Sequence, residues 1–188
     1  FVQSNERRTV HEEERNLNYE SHRKNIEADL SVETLRGSVL FNSETDDMSP
    51  ALLWSKVKGR SNVVFLVVTD KDEVFGSFHR VLPKRPDEWV RADAGMFVFS
   101  LRNAKKTAPV KYKPKAFNHA LLQIPTDDQK DYVMWISDAF RIDRHGHGYV
   151  CASLERFFAL PPQSSPKELA GVLYPQQFTV MSFCVLQL

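Results

Sequence analysis

The run Val63-Val64-Phe65-Leu66-Val67-Val68 narrows the possible folds of this chain more than any other segment. Its apolar residues are continuous and mostly β-branched, the pattern of a strand buried on both faces. Asp70-Lys71-Asp72-Glu73 follows as a polar turn, and Val74-Phe75-Gly76-Ser77-Phe78 reads as a returning strand. Asn62 to His79 is therefore expected to form a β-hairpin. A lone hairpin is unstable, so further strands must complete its sheet. They are expected at Met96 to Leu101, Ala120 to Ile124, Tyr132 to Ile136, Tyr149 to Ser153 and Phe178 to Leu188, with polar or proline-containing breaks between them. Helical segments between these strands are few and short, which excludes a βαβ arrangement. The expected class is α+β, mostly β: a two-sheet antiparallel β-sandwich flanked by short helices.

With 188 residues, 42% of them hydrophobic and thirteen of them Phe, the chain has material for one substantial core. Residues 1–37 read differently from the rest. Glu12-Glu13-Glu14 and Arg23-Lys24 dominate there, with only scattered Val10, Leu17, Tyr19, Ile26, Leu30 and Leu35. Val10 and Leu17 stand one heptad apart, but Lys24 breaks the repeat, so a charged helical arm or linker is expected rather than a coiled coil. The folded domain is expected over 38–188. It opens with a strand at Val39-Leu40-Phe41, and Asn42 to Asp47 supplies turn and helix-capping residues. Pro50, Leu52, Leu53, Trp54 and Val57 predict a short helix ending near Gly59 and packing by its Leu53 and Trp54 face. No stretch approaches the roughly twenty apolar residues of a transmembrane helix, and charge rather than an apolar region follows Phe1-Val2-Gln3-Ser4-Asn5. A cytoplasmic location is expected, and because the first residue is not Met, so are residues upstream.

Lys and Arg (25) nearly balance Asp and Glu (24), so attraction to a polyanion requires a local patch. The best candidate is the acid-free stretch holding Arg102, Lys105, Lys106, Lys111, Lys113 and Lys115, interrupted by Pro109, Tyr112 and Pro114. It reads as a basic loop able to contact phosphates of nucleic acid or an anionic surface. The plainer reading is a solvated loop with Asp127, Asp128 and Asp131 nearby. Asp70 to Glu73 has the alternating acids of a calcium loop, but Phe75 and Val81 occupy the sixth and twelfth positions, where Gly and Glu belong. His145, His147 and Cys151 are zinc-type ligands lacking a fourth, and Gly146 and Gly148 suit a surface turn instead. Cys151 and Cys184 lie among apolar neighbours outside any CxxC motif and are expected to be reduced core thiols. GxSxG, HExxH, Walker and GxGxxG motifs are absent. Ser77 with His79, Cys151 with His147, and Asp138 with Glu155 are pairings by position alone. No catalytic set, metal or cofactor is therefore expected; the alternative is an unrecognised hydrolase or antioxidant enzyme.

The order of segments resembles the TLDc domain, in a divergent, protist-type form. Leu40-Phe41-Asn42-Ser43 with Asp46-Asp47 and Leu53-Trp54 resembles that family's opening strand, turn and helix. Asn62 to Phe78 resembles its main hairpin, with Val74, Phe75 and Gly76 as the most specific element. Gly95 to Leu101, Tyr149-Val150-Cys151 with Leu154-Glu155-Arg156-Phe157, and Phe178-Thr179-Val180 with Val185-Leu186 are similar to later family elements, the resemblance covering about Val39 to Leu188. Three features depart from the family: the turn glycine and the glycine run before the Trp135 strand are missing, and Cys184 and Leu186 replace a Glu and a Trp. The resemblance implies a β-sandwich with no established enzymatic chemistry. It also implies a protein-interaction role associated with resistance to oxidative stress, with the vacuolar proton-pumping ATPase as a partner of several members.

Overall fold

A computed structural model describes residues 38–116, 121–126 and 130–188. The chain divides between Arg36 and Gly37, and the arm expected over 1–37 lies outside the described residues.

The expected hairpin is present as β2 (Ser61–Thr69) and β3 (Val74–Val81), paired antiparallel from Ser61↔Val81 to Val68↔Val74. Val63 to Val67 are all buried, as a strand covered on both faces requires. β1 (Ser38–Asn42) pairs with the last strand, β12 (Phe178–Gln187), which also pairs with β2. The remaining strands are β4 (Trp89–Val90), β5 (Phe97–Arg102), β6 (Val110–Pro114), β7 (Leu122–Gln123), β8 (Tyr132–Ile136), β9 (Phe140–Asp143), β10 (His147–Val150) and β11 (Phe158–Ala159). Among the described residues these twelve strands form one continuous antiparallel sheet in the order β11-β6-β5-β3-β2-β12-β10-β9-β8-β7-β4, with β1 beside β12.

The two expected layers are therefore halves of one sheet joined through β12. Its start pairs with β10 and its longer remainder with β2 and β1, with an irregularity between Val180 and Ser182. An extra residue there bends and twists the strand. The halves meet in the core. Phe75 of β3 packs edge-on against Phe140 of β9 at 5.1 Å and Phe178 of β12 at 5.4 Å, pairs worth about 0.5–1.5 kcal/mol each beyond their burial.

Helix α1 (Pro50–Val57) is capped by Ser49, whose Oγ accepts from the Leu52 N–H at 3.3 Å. The cap thus lies beyond the expected Asn42 to Asp47. That segment closes on itself instead, with Asp46 Oδ2 accepting from the Asn42 N–H at 3.0 Å and Oδ1 pairing with Lys56 at 2.7 Å. Leu53 and Val57 form the helix's fully buried stripe, while Trp54 is only half-buried. One further helical turn, α2 (Leu154–Phe157), and a 3-10 turn (Pro166–Glu168) complete the helical content of the described residues.

Four strands escaped the sequence reading: β4, β6, β9 and β11. β4 and β11 have two residues each, too few for alternation to register. β6 corrects the expected basic loop over 102–115. Val98↔Tyr112 pairing turns Tyr112 inward and leaves Lys111 and Lys113 on the outer face, so a strand with a lysine face had the composition of a loop.

Candidate functional site

The fold already engages four of the six basic residues. Arg102 ends β5 and binds Asp72 through its guanidinium, with Nε donating to the Asp72 carbonyl at 2.7 Å. Lys105 pairs with the buried Glu168 at 3.5 Å, and Lys115 Nζ donates to the Glu155 carbonyl at 2.8 Å. The Lys111 ammonium lies over the Phe97 ring at 5.1 Å, and burial, then the charge of Lys113, lowers its pKa. Lys106 sits at φ 53° in the turn after β5, and Lys113 is exposed on β6.

Glu168 is the centre of a buried polar knot at this edge. Its Oε2 accepts from the Tyr112 hydroxyl at 3.3 Å, and its carbonyl accepts from Ser100 Oγ at 3.1 Å. Burial, then the Glu168 charge, pushes the Tyr112 phenol well above its usual range. The segment between β11 and β12 is thereby tied to β5 and β6.

The family-motif residues are structural. Val74 and Phe75 are buried, and a Cβ on Gly76 would stand 2.0 Å from the Phe65 carbonyl oxygen and 2.8 Å from the Phe99 ring. A second chain segment does pack on this glycine, as its place in the strand implied.

Ser77 and His79 do meet, with Oγ and Nε2 3.0 Å apart, a contact the sequence could not select. Both are fully buried, burial takes the imidazole pKa down to about 3, and Nδ1 has no partner among the described residues. A nucleophile and base in contact are useless to a reagent that cannot reach them. Asp138 accepts instead from the Ser137 and Ser153 hydroxyls at 2.9 and 3.0 Å, and Glu155 is exposed on α2.

The histidine segment is a turn organised by Asp143, whose Oδ1 accepts from the His145 and His147 backbone N–H groups at 2.8 and 2.9 Å. The described residues contain no group of three or more side chains suited to hold a metal ion. In the acidic turn, Asp72 faces Arg102 and the buried Glu73 accepts from the Thr69 hydroxyl. Cys151 is half-buried and Cys184 buried; in both, burial pushes the thiol up to about 11, which keeps the nucleophilic thiolate scarce.

A different grouping had no sequence signal. The registers Trp89↔Gln123, Gln123↔Trp135, Trp135↔Arg141 and Arg141↔Tyr149 set one side chain from each of β4, β7, β8, β9 and β10 in a straight row. The neighbouring row, with Leu122, Ile136, Phe140 and Val150, points into the core. The Trp89 row therefore faces outward.

Trp89 and Trp135 meet at 5.3 Å, Tyr132 joins Trp135 at 5.7 Å, and Tyr174, 62% exposed, meets Tyr149 at 5.1 Å. The Arg141 guanidinium lies 4.7 Å from the Tyr149 ring centre, 5.4 Å from Tyr132 and 6.0 Å from Trp135. Burial raises the Tyr149 phenol pKa against the pull of Arg141. Gln123, the buried member of the row, donates to the Asp87 carbonyl at 2.7 Å and accepts from the Tyr132 hydroxyl. Lys130 is held by Asp87 at 2.6 Å, whereas Arg141 has no carboxylate partner among the described residues. The Trp135 Nε1–H is enclosed and has no acceptor among the described residues.

The described residues include no helix long and apolar enough to cross a membrane. No curated protein matches the sequence. The model of the TLDc domain matches residues 12–164, beginning inside the segment read as an arm and ending before β12. With more than half its length in that match, the chain belongs to the TLDc family.

Proposed function

We propose that this chain is a non-enzymatic TLDc-type protein-interaction module, active in resistance to oxidative stress through a protein partner, the vacuolar proton-pumping ATPase. Family membership carries the reading. The sealed Ser77–His79 pair and the raised thiols support it, since the pair is out of reach and the thiols stay protonated near neutral pH. The basic residues favour nucleic acid less, because Arg102 and Lys105 are already held by acids.

Purified chain mixed with the purified proton pump is expected to comigrate with it in size-exclusion chromatography. Separate elution at micromolar concentrations of both would remove the pump as partner. Peroxide consumption is expected to be equally negligible for the parent, Cys151→Ser and Cys184→Ser; a rate lost on either substitution would instead establish thiol enzymology.

A further inference from the structure

We propose that the outward row of Trp89, Tyr132, Trp135, Arg141, Tyr149 and Tyr174 is the docking site for an extended, acidic, proline-containing segment of a partner protein. The inference rests on the interaction reading above and names the surface and the ligand chemistry it lacks.

Two observations select this occupant. Arg141 carries five N–H donors on a planar cation, sits against three rings, and meets no carboxylate among the described residues. Charge complementarity therefore calls for a carboxylate from outside. In addition, the Trp89, Tyr132, Trp135 and Tyr149 rings are half-buried, and Tyr132 is hydrogen-bonded to Gln123, so little of their side-chain entropy remains to be lost.

Dimensions fit an extended chain. The row crosses four strand gaps of about 4.8 Å, roughly 19 Å in all. Six residues of polyproline II span about the same length at about 3.1 Å each. Trp135 and Tyr149 come from strands two gaps apart, roughly 9.6 Å, close to the three-residue repeat of that helix, about 9.3 Å. Prolines three apart can thus lie over the two rings with an acidic side chain between them at Arg141. Aromatic-lined surfaces are the usual seat of such ligands.

Single-stranded nucleic acid also stacks on aromatic rings, but it delivers a phosphate with every base. Here Lys130 is already bound to Asp87, and the neighbours in sequence Glu88 and Asp131 have side chains 38% and 68% exposed. One guanidinium with no carboxylate among the described residues suits one carboxylate better than a phosphate with every base.

The full chain is titrated, by fluorescence anisotropy, with a labelled nine-residue peptide of three proline–glutamate–alanine repeats, its proline–glutamine–alanine counterpart, and a ten-nucleotide oligothymidylate. The glutamate peptide is expected to bind at least about tenfold more tightly than the glutamine peptide, the cost of losing one charged hydrogen-bonded contact, and the oligonucleotide not at all. Arg141→Gln should lower the glutamate peptide's affinity to that of the glutamine peptide, and Arg102→Gln should leave it unchanged. Tyr174→Ala should weaken binding several-fold with an unchanged urea midpoint, and it decides the matter if Arg141→Gln does not fold. No binding of the glutamate peptide, equal binding of both peptides, indifference to the Arg141 and Tyr174 substitutions, or preference for the oligonucleotide would each overturn the proposal. If the parent comigrates with the proton pump while the peptide arms fail, only this inference falls; if the peptide binds as expected and no pump complex forms, the row stands and the pump is excluded.

Discussion

The basic stretch and the aromatic row differ in how much of their charge the fold leaves unspent. The stretch from Arg102 to Lys115 holds six cations, yet Arg102 and Lys105 have acidic partners, Lys115 is bound to a carbonyl, and Lys111 lies over a ring. The row has one cation, Arg141, which stands between three aromatic rings with no carboxylate among the described residues. Counting charges along a sequence finds the first region and overlooks the second. What a partner feels is the charge left over after the protein has satisfied itself, and that depends on which residues the strand registers bring together.

The comparison can be broken from beneath the row. A Cβ at Gly148 would lie 2.5 Å from both the Arg141 carbonyl oxygen and the Phe178 ring, so Gly148→Ala should force β9 and β10 apart. A loss of about 2–3 kcal/mol in urea unfolding is expected, together with a shift in tryptophan fluorescence as Trp135 loses its Arg141 neighbour. An unchanged midpoint would mean the row is not rigidly seated.

On the basic side, Glu168 is the element to remove. Its side chain is 4% exposed and receives the Tyr112 hydroxyl, so Glu168→Ala should cost about 2 kcal/mol. Lys105, its half-exposed partner at 59%, should cost less than about 0.5 kcal/mol on substitution by alanine, because its ammonium keeps its water. Equal losses would show that the lysine belongs to the buried knot after all.

The pH dependence tests the sealed core between the two regions. The folded pKa of His79 is about 3 against 6.5 for the free side chain. The unfolded chain therefore binds the extra proton first as pH falls. Stability contributed by the neutral imidazole is complete above pH 6.5 and is lost progressively down to about 3, with a slope of up to about 1.4 kcal/mol per pH unit. Urea midpoints between pH 7 and 5 should fall accordingly for the parent and less for His79→Gln; parallel curves would show that water reaches the ring. The smallest effect is expected at Arg102→Gln, less than about 0.5 kcal/mol for an exposed pair and reduced further by salt.

Much of the architecture was legible along the chain. The hairpin followed from the β-branched run, the expected strand at Tyr132 to Ile136 appears with the same bounds, and the closing strand begins at the expected Phe178. β9 was missed because Phe140-Arg141-Ile142-Asp143 is a strand of four residues whose alternation is too short to stand out. Missing β9 also concealed Arg141, and with it the aromatic row. The histidines and cysteines drew attention by residue type, but their hydrogen bonds and burial mark them as turn and core residues.

By itself, the sequence determined that this chain forms an antiparallel, mostly β domain around a phenylalanine-rich core. Burial of β-branched and aromatic runs is a local preference that a short window reveals, and the TLDc family pattern is written in those same runs. Only the tertiary structure decided that the two layers are one sheet bent through β12, that Ser77 and His79 touch out of reach of solvent, and that Arg141 lies among rings with no carboxylate partner among the described residues. Those facts depend on the register between strands distant in sequence, where shifting a strand by one residue would exchange its inward and outward side chains.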